Sequence, residues 1–231
     1  MKLSERQERI FDLICEHKRL SVATLSKMLY VTEMTIRRDL SEMEGKGYIK
    51  RYRGGAVLPA DDNGVPVSQR MFIDETEKKA LGRKAAELLQ DGMTVFIDSS
   101  TTSHFLIPYI KKRNDIKIVT NSINALSIAS GMQIPCLLIG GDYNAREMCC
   151  VGPFSEGIAQ HINVDVAFVS TLGITEDGRI TDSCVEISAV KEKIMENAKH
   201  TVFMFEKSKL NKVGTYTLCR AGNENITVIG I

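Results

Sequence analysis

Within the first 45 residues, apolar positions recur three times at helical spacing, and each run follows a residue able to cap it. Ser4-Glu5-Arg6-Gln7 has the form of a capping box, with Ser at the N-cap and Gln three residues on. Behind it Ile10, Leu13, Ile14 and His17 repeat at helical spacing. Ser21 predicts the start of a second helix with Val22, Leu25, Met28 and Leu29 on its apolar face. After a short break at Tyr30-Val31, Thr32 caps a third helix reaching Glu44, with Ile36, Leu40 and Met43 facing inward. Steps of about 100° per residue place Met34, Arg38 and Ser41 on the opposite side, flanked by Thr35 and Arg37. Gly45-Lys46-Gly47 stops this helix, because glycine tolerates the left-handed turn there. Residues 48–53 then alternate like a strand and end in Gly54-Gly55, which predicts a β-hairpin wing.

From Thr76 onward helical and strand patterns alternate. Helices are expected over 76–90, 102–112, 122–130 and 185–198, and strands over 94–97, 116–119, 135–139, 164–169, 202–205 and 226–231. Such alternation argues for a mainly parallel sheet covered by helices. The fold class expected is therefore α/β. A small N-terminal winged helix-turn-helix over 1–57 is joined through a linker, 58–70, to a larger Rossmann-like α/β domain over 71–231. The linker rests on Leu58-Pro59-Ala60-Asp61-Asp62-Asn63-Gly64-Val65-Pro66, which has little to bury.

Charge sharpens this division. The whole chain of 231 residues carries 30 Lys+Arg and 29 Asp+Glu, a net of +1 that speaks against a nucleic-acid partner. Split at the linker, residues 1–57 hold 12 cations and 8 acids, and residues 58–231 hold 18 and 21. A +4 head thus sits on a −3 body. Within the head, residues 46–53 carry four cations and no acid, which suits phosphates or a minor groove.

A helix-turn-helix pushes the N-terminal end of its last helix into the major groove. The residues expected to meet double-stranded operator DNA are Thr32, Met34, Thr35, Arg37, Arg38, Ser41, Lys50, Arg51 and Arg53. An Arg pair alone is usually a solvated helix face. Here it follows a capped break and precedes a basic wing, which argues for DNA over a protein-binding winged helix.

In the body, the residues just past each strand are informative, because an open parallel sheet binds ligands beyond the carboxyl ends of its strands. The first three strands lead into Asp98-Ser99-Ser100-Thr101-Thr102-Ser103, Thr120-Asn121-Ser122 and Gly140-Gly141-Asp142. The fourth leads into Ser170-Thr171-Leu172-Gly173. The Ser/Thr run also opens a helix, where unpaired N–H groups attract a phosphate. Each of these ends taken singly makes an ordinary turn or cap. Four in one sheet point to a crevice for a phosphorylated polyol or sugar.

These residues resemble a known family. Thr32-Glu33-Met34-Thr35-Ile36-Arg37-Arg38-Asp39-Leu40 and the wing Gly47-Tyr48-Ile49-Lys50-Arg51-Tyr52-Arg53-Gly54-Gly55-Ala56 are similar to those of DeoR-family bacterial transcriptional regulators. In the body, loop 98–102, Thr120-Asn121-Ser122, Gly140-Gly141, Gly152-Pro153, Asp165-Val166-Ala167-Phe168 and Ser208-Lys209 resemble that family's effector domain, a fold shared with sugar-phosphate isomerases. The resemblance implies operator contacts from Thr35, Arg37 and Arg38. It implies a phosphate held by Ser99, Ser100, Thr101 and Thr102, with Asn121, Ser122 and Lys209 nearby. Asp98, Gly140, Gly141 and Gly173 complete the expected effector site. Asp39 is expected to hold an arginine or cap local structure and not to touch DNA, since phosphates repel a carboxylate.

Three features depart from the family pattern. Ser100 stands for the glycine of Asp-x-Gly-Thr-Thr, and Glu206 and Leu210 replace Asp and Phe around Ser208-Lys209. The chain also ends at Ile231, where many members continue, which implies a shortened body or a fragment.

The expected function is a sequence-specific repressor of a carbohydrate-use operon, working as a dimer or tetramer and modulated by a phosphorylated sugar. The alternative is a sugar-phosphate isomerase carrying a DNA-binding head, with Asp165 or Glu186 as its base. No paired acids at a strand end, nucleophile elbow or phosphate loop supports that alternative. Cys15, Cys136, Cys149, Cys150, Cys184 and Cys219 form no C-x-x-C pair and are expected as reduced thiols, with Cys149-Cys150 leaving redox chemistry open. His17, His104, His161 and His200 show no metal-ligand spacing, and no cofactor is expected. A charged N-terminus and the lack of a long apolar run imply a cytoplasmic protein with no membrane partner.

Overall fold

The computed structural model describes residues 3–58 and 67–230, so the expected linker lies largely outside the described residues. Contacts divide the chain into two units, Met1–Asp74 and Glu75–Ile231.

The first unit runs α1 (Glu5–His17), β1 (Arg19–Ser21), α2 (Val22–Leu29), α3 (Glu33–Gly45), β2 (Lys50–Tyr52), β3 (Gly55–Val57) and α4 (Val67–Arg70). Both halves of the Ser4–Gln7 capping box are present. Ser21 caps α2 through Thr24 N, and Thr32 caps α3 through Thr35 N. Ile10, Ile14, Leu25, Ile36, Leu40 and Met43 have no exposed surface and form the core. Met28 departs from its expected inward position and is exposed, because α2 turns only Val22 and Leu25 fully into that core. The wing gains a strand that the hydrophobic pattern did not reveal: β1 pairs with β3, giving the antiparallel order β1-β3-β2.

The second unit begins with α5 (Glu75–Ala85), β4 (Thr94–Ile97), α6 (Thr101–His104), α7 (Ile107–Ile110), β5 (Lys117–Thr120), α8 (Ile123–Gly131) and β6 (Cys136–Leu138). It continues through β7 (Asp142–Asn144), β8 (Cys149–Val151), α9 (Pro153–Ala159), β9 (Val164–Val169), β10 (Gly173–Ile174) and β11 (Arg179–Asp182). It closes with α10 (Val185–Glu196), β12 (Ala198–Phe205), β13 (Tyr216–Arg220) and β14 (Ile226–Gly230). Among the described residues, six strands form one parallel sheet in the order β14-β12-β9-β4-β5-β6. Phe96, Phe168, Phe203 and Phe205 are wholly buried on this sheet. Chain order runs outward in both directions from β4 and β9, so the topological switch point lies between them.

The helix expected over 102–112 is two short helices instead. Pro108 lacks an N–H, and Phe105 and Leu106 donate three residues back to Thr102 and Ser103, tightening the chain between them. The hairpin β7–β8, helix α9 and an antiparallel sheet β10-β11-β13 add to the expected plan.

Helix α5 meets the chain between α6 and α7 by backbone contact. A Cβ on Gly82 would collide with the carbonyl oxygen of Phe105 and lie 2.6 Å from its carbon. Backbone cannot swing aside as a side chain can, so overpacking of about 1–3 kcal/mol outweighs the helix propensity of about 1 kcal/mol that alanine adds. Gly82→Ala should therefore lower the melting temperature of the second unit by several degrees. An unchanged or raised value in a thermal melt would refute the close approach.

Candidate functional site

The outward face of α3 is the first candidate. Met34, Arg37, Arg38 and Ser41 are exposed, opposite the buried Ile36, Leu40 and Met43. The hydroxyls of Thr32 and Thr35 lie 3.0 Å apart, so both act locally at the start of the helix. Asp39 is buried and takes a two-pronged pair from Arg6, with Nε at 2.6 Å from Oδ2 and the second contact at 3.1 Å. Gln7 donates to Glu42 at 2.8 Å. Helix α1 thereby fixes the rotation of α3 and with it the direction of the outward face. Arg37 and Arg38 are not equivalent: Arg37 pairs with Glu33 at 3.1 Å, while no described carboxylate pairs with Arg38. In the wing, Lys50, Arg51 and Arg53 are exposed. The backbone N–H of Arg51 donates to Glu44 at 2.8 Å and its guanidinium stands 4.0 Å from the same carboxylate, which ties it to the end of α3.

The second candidate is the switch point of the parallel sheet. Asp98 follows β4 and is completely buried. Its Oδ1 accepts from Ser100 N at 3.1 Å and from the hydroxyls of Ser100 and Ser103 at 2.6 Å each. Its Oδ2 accepts from Ser170 N at 3.1 Å, across the switch point, and faces Lys191 Nζ at 3.2 Å. Asp98 thus shapes the loop from beneath. Ser100 caps α6 with φ −73°, a conformation that does not call for glycine, and its hydroxyl turns inward to Asp98 and accepts from Ser103 N. This side chain therefore braces the loop instead of projecting from it.

Two further strand ends join this network. Lys191 of α10 donates to the Ser170 carbonyl at 2.6 Å and pairs with Asp182 at 3.1 Å. Glu206, which follows β12, accepts from Thr102 Oγ1 at 2.7 Å and lies 3.6 Å from Lys78 and 3.2 Å from Lys209. Lys209 donates to Ser170 Oγ at 2.8 Å and to Thr102 Oγ1 at 3.3 Å. Far from being a solvated surface lysine, Lys209 is buried. Among the described residues, Asp98, Asp182 and Glu206 balance Lys78, Lys191 and Lys209.

Burial alone would push the Asp98 carboxyl up, but Lys191 and the bonds from Ser100, Ser103 and Ser170 hold it below its ordinary value. Burial opposes ionisation of Glu206 as well, yet Lys209, Lys78 and Thr102 pull it down to about 2. For Lys191 the loss of solvation is outweighed by Asp182 and Asp98, and its pKa rises. A general base working near neutral pH needs a pKa close to 7, so these carboxylates are tuned the wrong way for proton abstraction. Asp165 lies near the amino end of β9, away from the carboxyl ends of the strands, where it accepts from Thr94 N at 2.8 Å and pairs with Lys199 at 2.7 Å. Glu186 is exposed in the first turn of α10.

The remaining expected effector residues divide. Ser99 and Thr101 are buried in the switch-point loop, and Thr101 and Thr102 begin α6, whose first N–H groups have no partner within the helix. Asn121 and Ser122 are taken up by the fold. The Asn121 amide donates to the Cys150 carbonyl at 2.9 Å, and Ser122 caps α8 and meets His104 at 3.3 Å. Gly140 and Gly141 stand beyond β6, two strands from the switch point, where Gly140 accepts from Ser155 of α9 at 2.8 Å. Gly173 packs against the Lys212 backbone. Sequence patterns miss Lys191 and Lys78, and they mark Ser170 and Thr171 only as part of a polar strand end. The buried Oγ1 of Thr171 has no hydrogen-bond partner among the described residues.

All six cysteines are free. Burial pushes the Cys149 thiol up to about 12 and raises that of Cys150, which disfavours the reactive thiolate. Among the described residues no cluster of His, Cys, Asp or Glu is arranged to hold a metal. No described helix is long and apolar enough to cross a membrane.

Residues 6–61 match the DeoR-like helix-turn-helix domain family, and residues 73–229 match the DeoR C-terminal sensor domain family. The HTH-type transcriptional repressor GlcR of Bacillus subtilis is 32% identical over 218 residues, 94% of this chain and 84% of that protein. The glycerol-3-phosphate regulon repressor of Escherichia coli is 28% identical over 215 residues, 92% of this chain and 84% of that protein. A ribose 5-phosphate isomerase from Methanocaldococcus jannaschii superposes with a TM-score of 0.46 at 18% identity, over 59% of this chain and 55% of that one.

The ionic network gives a direct test. Glu206→Gln strands Lys78 and Lys209 without their carboxylate, at a cost of about 3–5 kcal/mol to the second unit. Because the folded pKa of Glu206 is depressed, its contribution is complete above the ordinary value of 4.5 and is lost as pH falls toward about 2. Chemical denaturation should show that loss in the wild type and a shallower one in Glu206→Gln. Equal stability of the two proteins at pH 7 would sink the assignment.

Proposed function

The chain belongs to the DeoR family of DNA-binding transcriptional regulators, and we propose that it represses a carbohydrate-use operon under control of a phosphorylated sugar. It is a regulator, not an enzyme. On this reading, the face of α3 bearing Met34, Arg38 and Ser41 enters the major groove, with Arg53 at the wing tip beside it. Arg38 is the principal base-reading side chain, because Arg37 already shares its charge with Glu33. A dimer or tetramer presents paired heads to two half-sites.

The observation that carries the effector reading is the start of α6 at the switch point, where Thr101 and Thr102 offer backbone N–H groups and Thr101 adds its hydroxyl. The buried lysines beside the loop, Lys78, Lys191 and Lys209, are each paired with a carboxylate. Recognition therefore rests first on neutral donors, with Thr171 Oγ1 available to a ligand hydroxyl. The relatives named as repressors of GlcR type and of a glycerol-3-phosphate regulon support a small phosphorylated carbohydrate. Such a ligand changes DNA affinity only by binding one state of the protein better than the other.

Two substitutions separate the roles. Arg38→Ala should weaken binding to a selected operator duplex by about 1–3 kcal/mol without altering the thermal shift produced by sugar phosphates. Thr101→Ala should blunt that shift and the ligand's effect on DNA binding, while ligand-free DNA affinity stays near wild type. Loss of both activities in both folded variants would contradict the two-module reading.

A further inference from the structure

The three-stranded sheet of the first unit carries a polar group that neither α3 nor the wing tip accounts for. In register, Arg19 of β1 stands opposite Val57 of β3, which stands opposite Lys50 of β2. Two residues along, Ser21, Gly55 and Tyr52 are aligned in the same way. Strand alternation sends Leu20 and Ala56 into the core and leaves Arg19, Lys50 and Tyr52 on the other face. A Cβ on Gly55 would lie 2.6 Å from Tyr52 Cζ, so the tyrosine ring lies across the bare backbone of β3. Across that gap the Arg19 guanidinium carbon sits 4.0 Å from the ring centroid.

Stacking holds the plane of the guanidinium while leaving the N–H groups on its rim available for a phosphate. Arg6, Lys18, Arg37 and Arg51 all have acidic partners in this unit. Among the described residues no carboxylate pairs with Arg19 or Lys50. This face adjoins the wing tip, because Arg53 follows Tyr52 and the Gly54 carbonyl accepts from Val22 N at 2.8 Å, in the first turn of α2.

We propose that Arg19, braced on Tyr52 and joined by Lys50, binds the DNA phosphate backbone beside the groove that the wing enters. The proposal rests on the first unit's being the DNA-binding module and adds a strand to it. Two unpaired cations on one face of the sheet suit a repeating polyanion, and they contribute affinity without reading bases. Tyr52 is then a positioning residue: it touches no phosphate and limits the freedom that Arg19 would lose on binding.

The test uses the full chain and a duplex that it enriches from a random-sequence pool. Arg19→Gln should weaken binding roughly three- to tenfold, equally across the enriched sequences, and lower the slope of log K against log salt by about 1. Arg19→Lys and Tyr52→Phe should keep the wild-type slope. Lys50→Gln, which alters an exposed side chain, should lower the slope as Arg19→Gln does and stands as the second measure where Arg19→Gln unfolds. An enriched duplex bound with the wild-type slope by Lys50→Gln and by folded Arg19→Gln overturns the proposal alone. A wild-type chain that enriches no duplex overturns the DNA-binding reading and the proposal together.

Discussion

The switch point of the parallel sheet depends on one ion pair, that of Asp98 with Lys191. Asp98 has no exposed surface, and a carboxylate in such a place is unsustainable without a counter-charge and donors for its remaining lone pairs. Lys191 supplies the charge from α10, while Ser100, Ser103 and Ser170 supply the donors. Because one oxygen gathers the loop and the other gathers β9, the same carboxylate closes the turn after β4 and bridges the switch point. Ser170 extends the arrangement. Its N–H serves Asp98, its carbonyl serves Lys191 and its hydroxyl accepts from Lys209, so the Glu206 cluster is continuous with the Asp98 cluster. Charges buried in this way add less net stability than well-packed apolar groups would. What they confer is geometry, because donors on both oxygens of Asp98 hold the loop and β9 in one arrangement.

That network also gives Ser100 and Glu206, two departures from the family pattern, a place in the fold. Ser100 replaces a glycine without strain, since its hydroxyl is spent within the loop and its backbone lies in an ordinary extended region. Glu206 retains a carboxylate at the end of β12, reaching Thr102 as well as two lysines. Its depressed pKa follows from that company and is the reverse of what acid–base catalysis would need.

The fold was legible wherever burial was periodic. The patterns at 94–97 and 164–169 coincide with β4 and β9, and the inner face read for α3 is the buried one. Strands β10, β11 and β13 escaped because they are short or of mixed burial, and α9 because it opens on Pro153 and contains Gly157. In the site, local reasoning found the loop and missed its support. Lys191 sits in a helix where sequence alone marks a lysine as solvated, and its partner Asp98 lies far off in the chain. Hydroxyl-rich strand ends also misled. Asn121 and Ser122 look like ligand contacts in sequence, yet their polar groups are consumed in tying β5 to β8 and in capping α8.

A near-zero net charge concealed two opposite uses of the same cation. In the second unit Lys78, Lys191 and Lys209 are buried beside carboxylates, where salt cannot reach them and where they act as fixed parts of the fold. In the first unit Arg19, Arg38, Lys50 and Arg53 are exposed, and no described carboxylate neutralises them. Charges of the second kind interact over roughly a Debye length and are weakened by every increment of salt. Ionic strength therefore acts on the two units unequally, loosening contacts to DNA while leaving the buried network intact. Neutrality in this chain is the sum of a surface built to find a polyanion and a sensor whose buried cations are already spent.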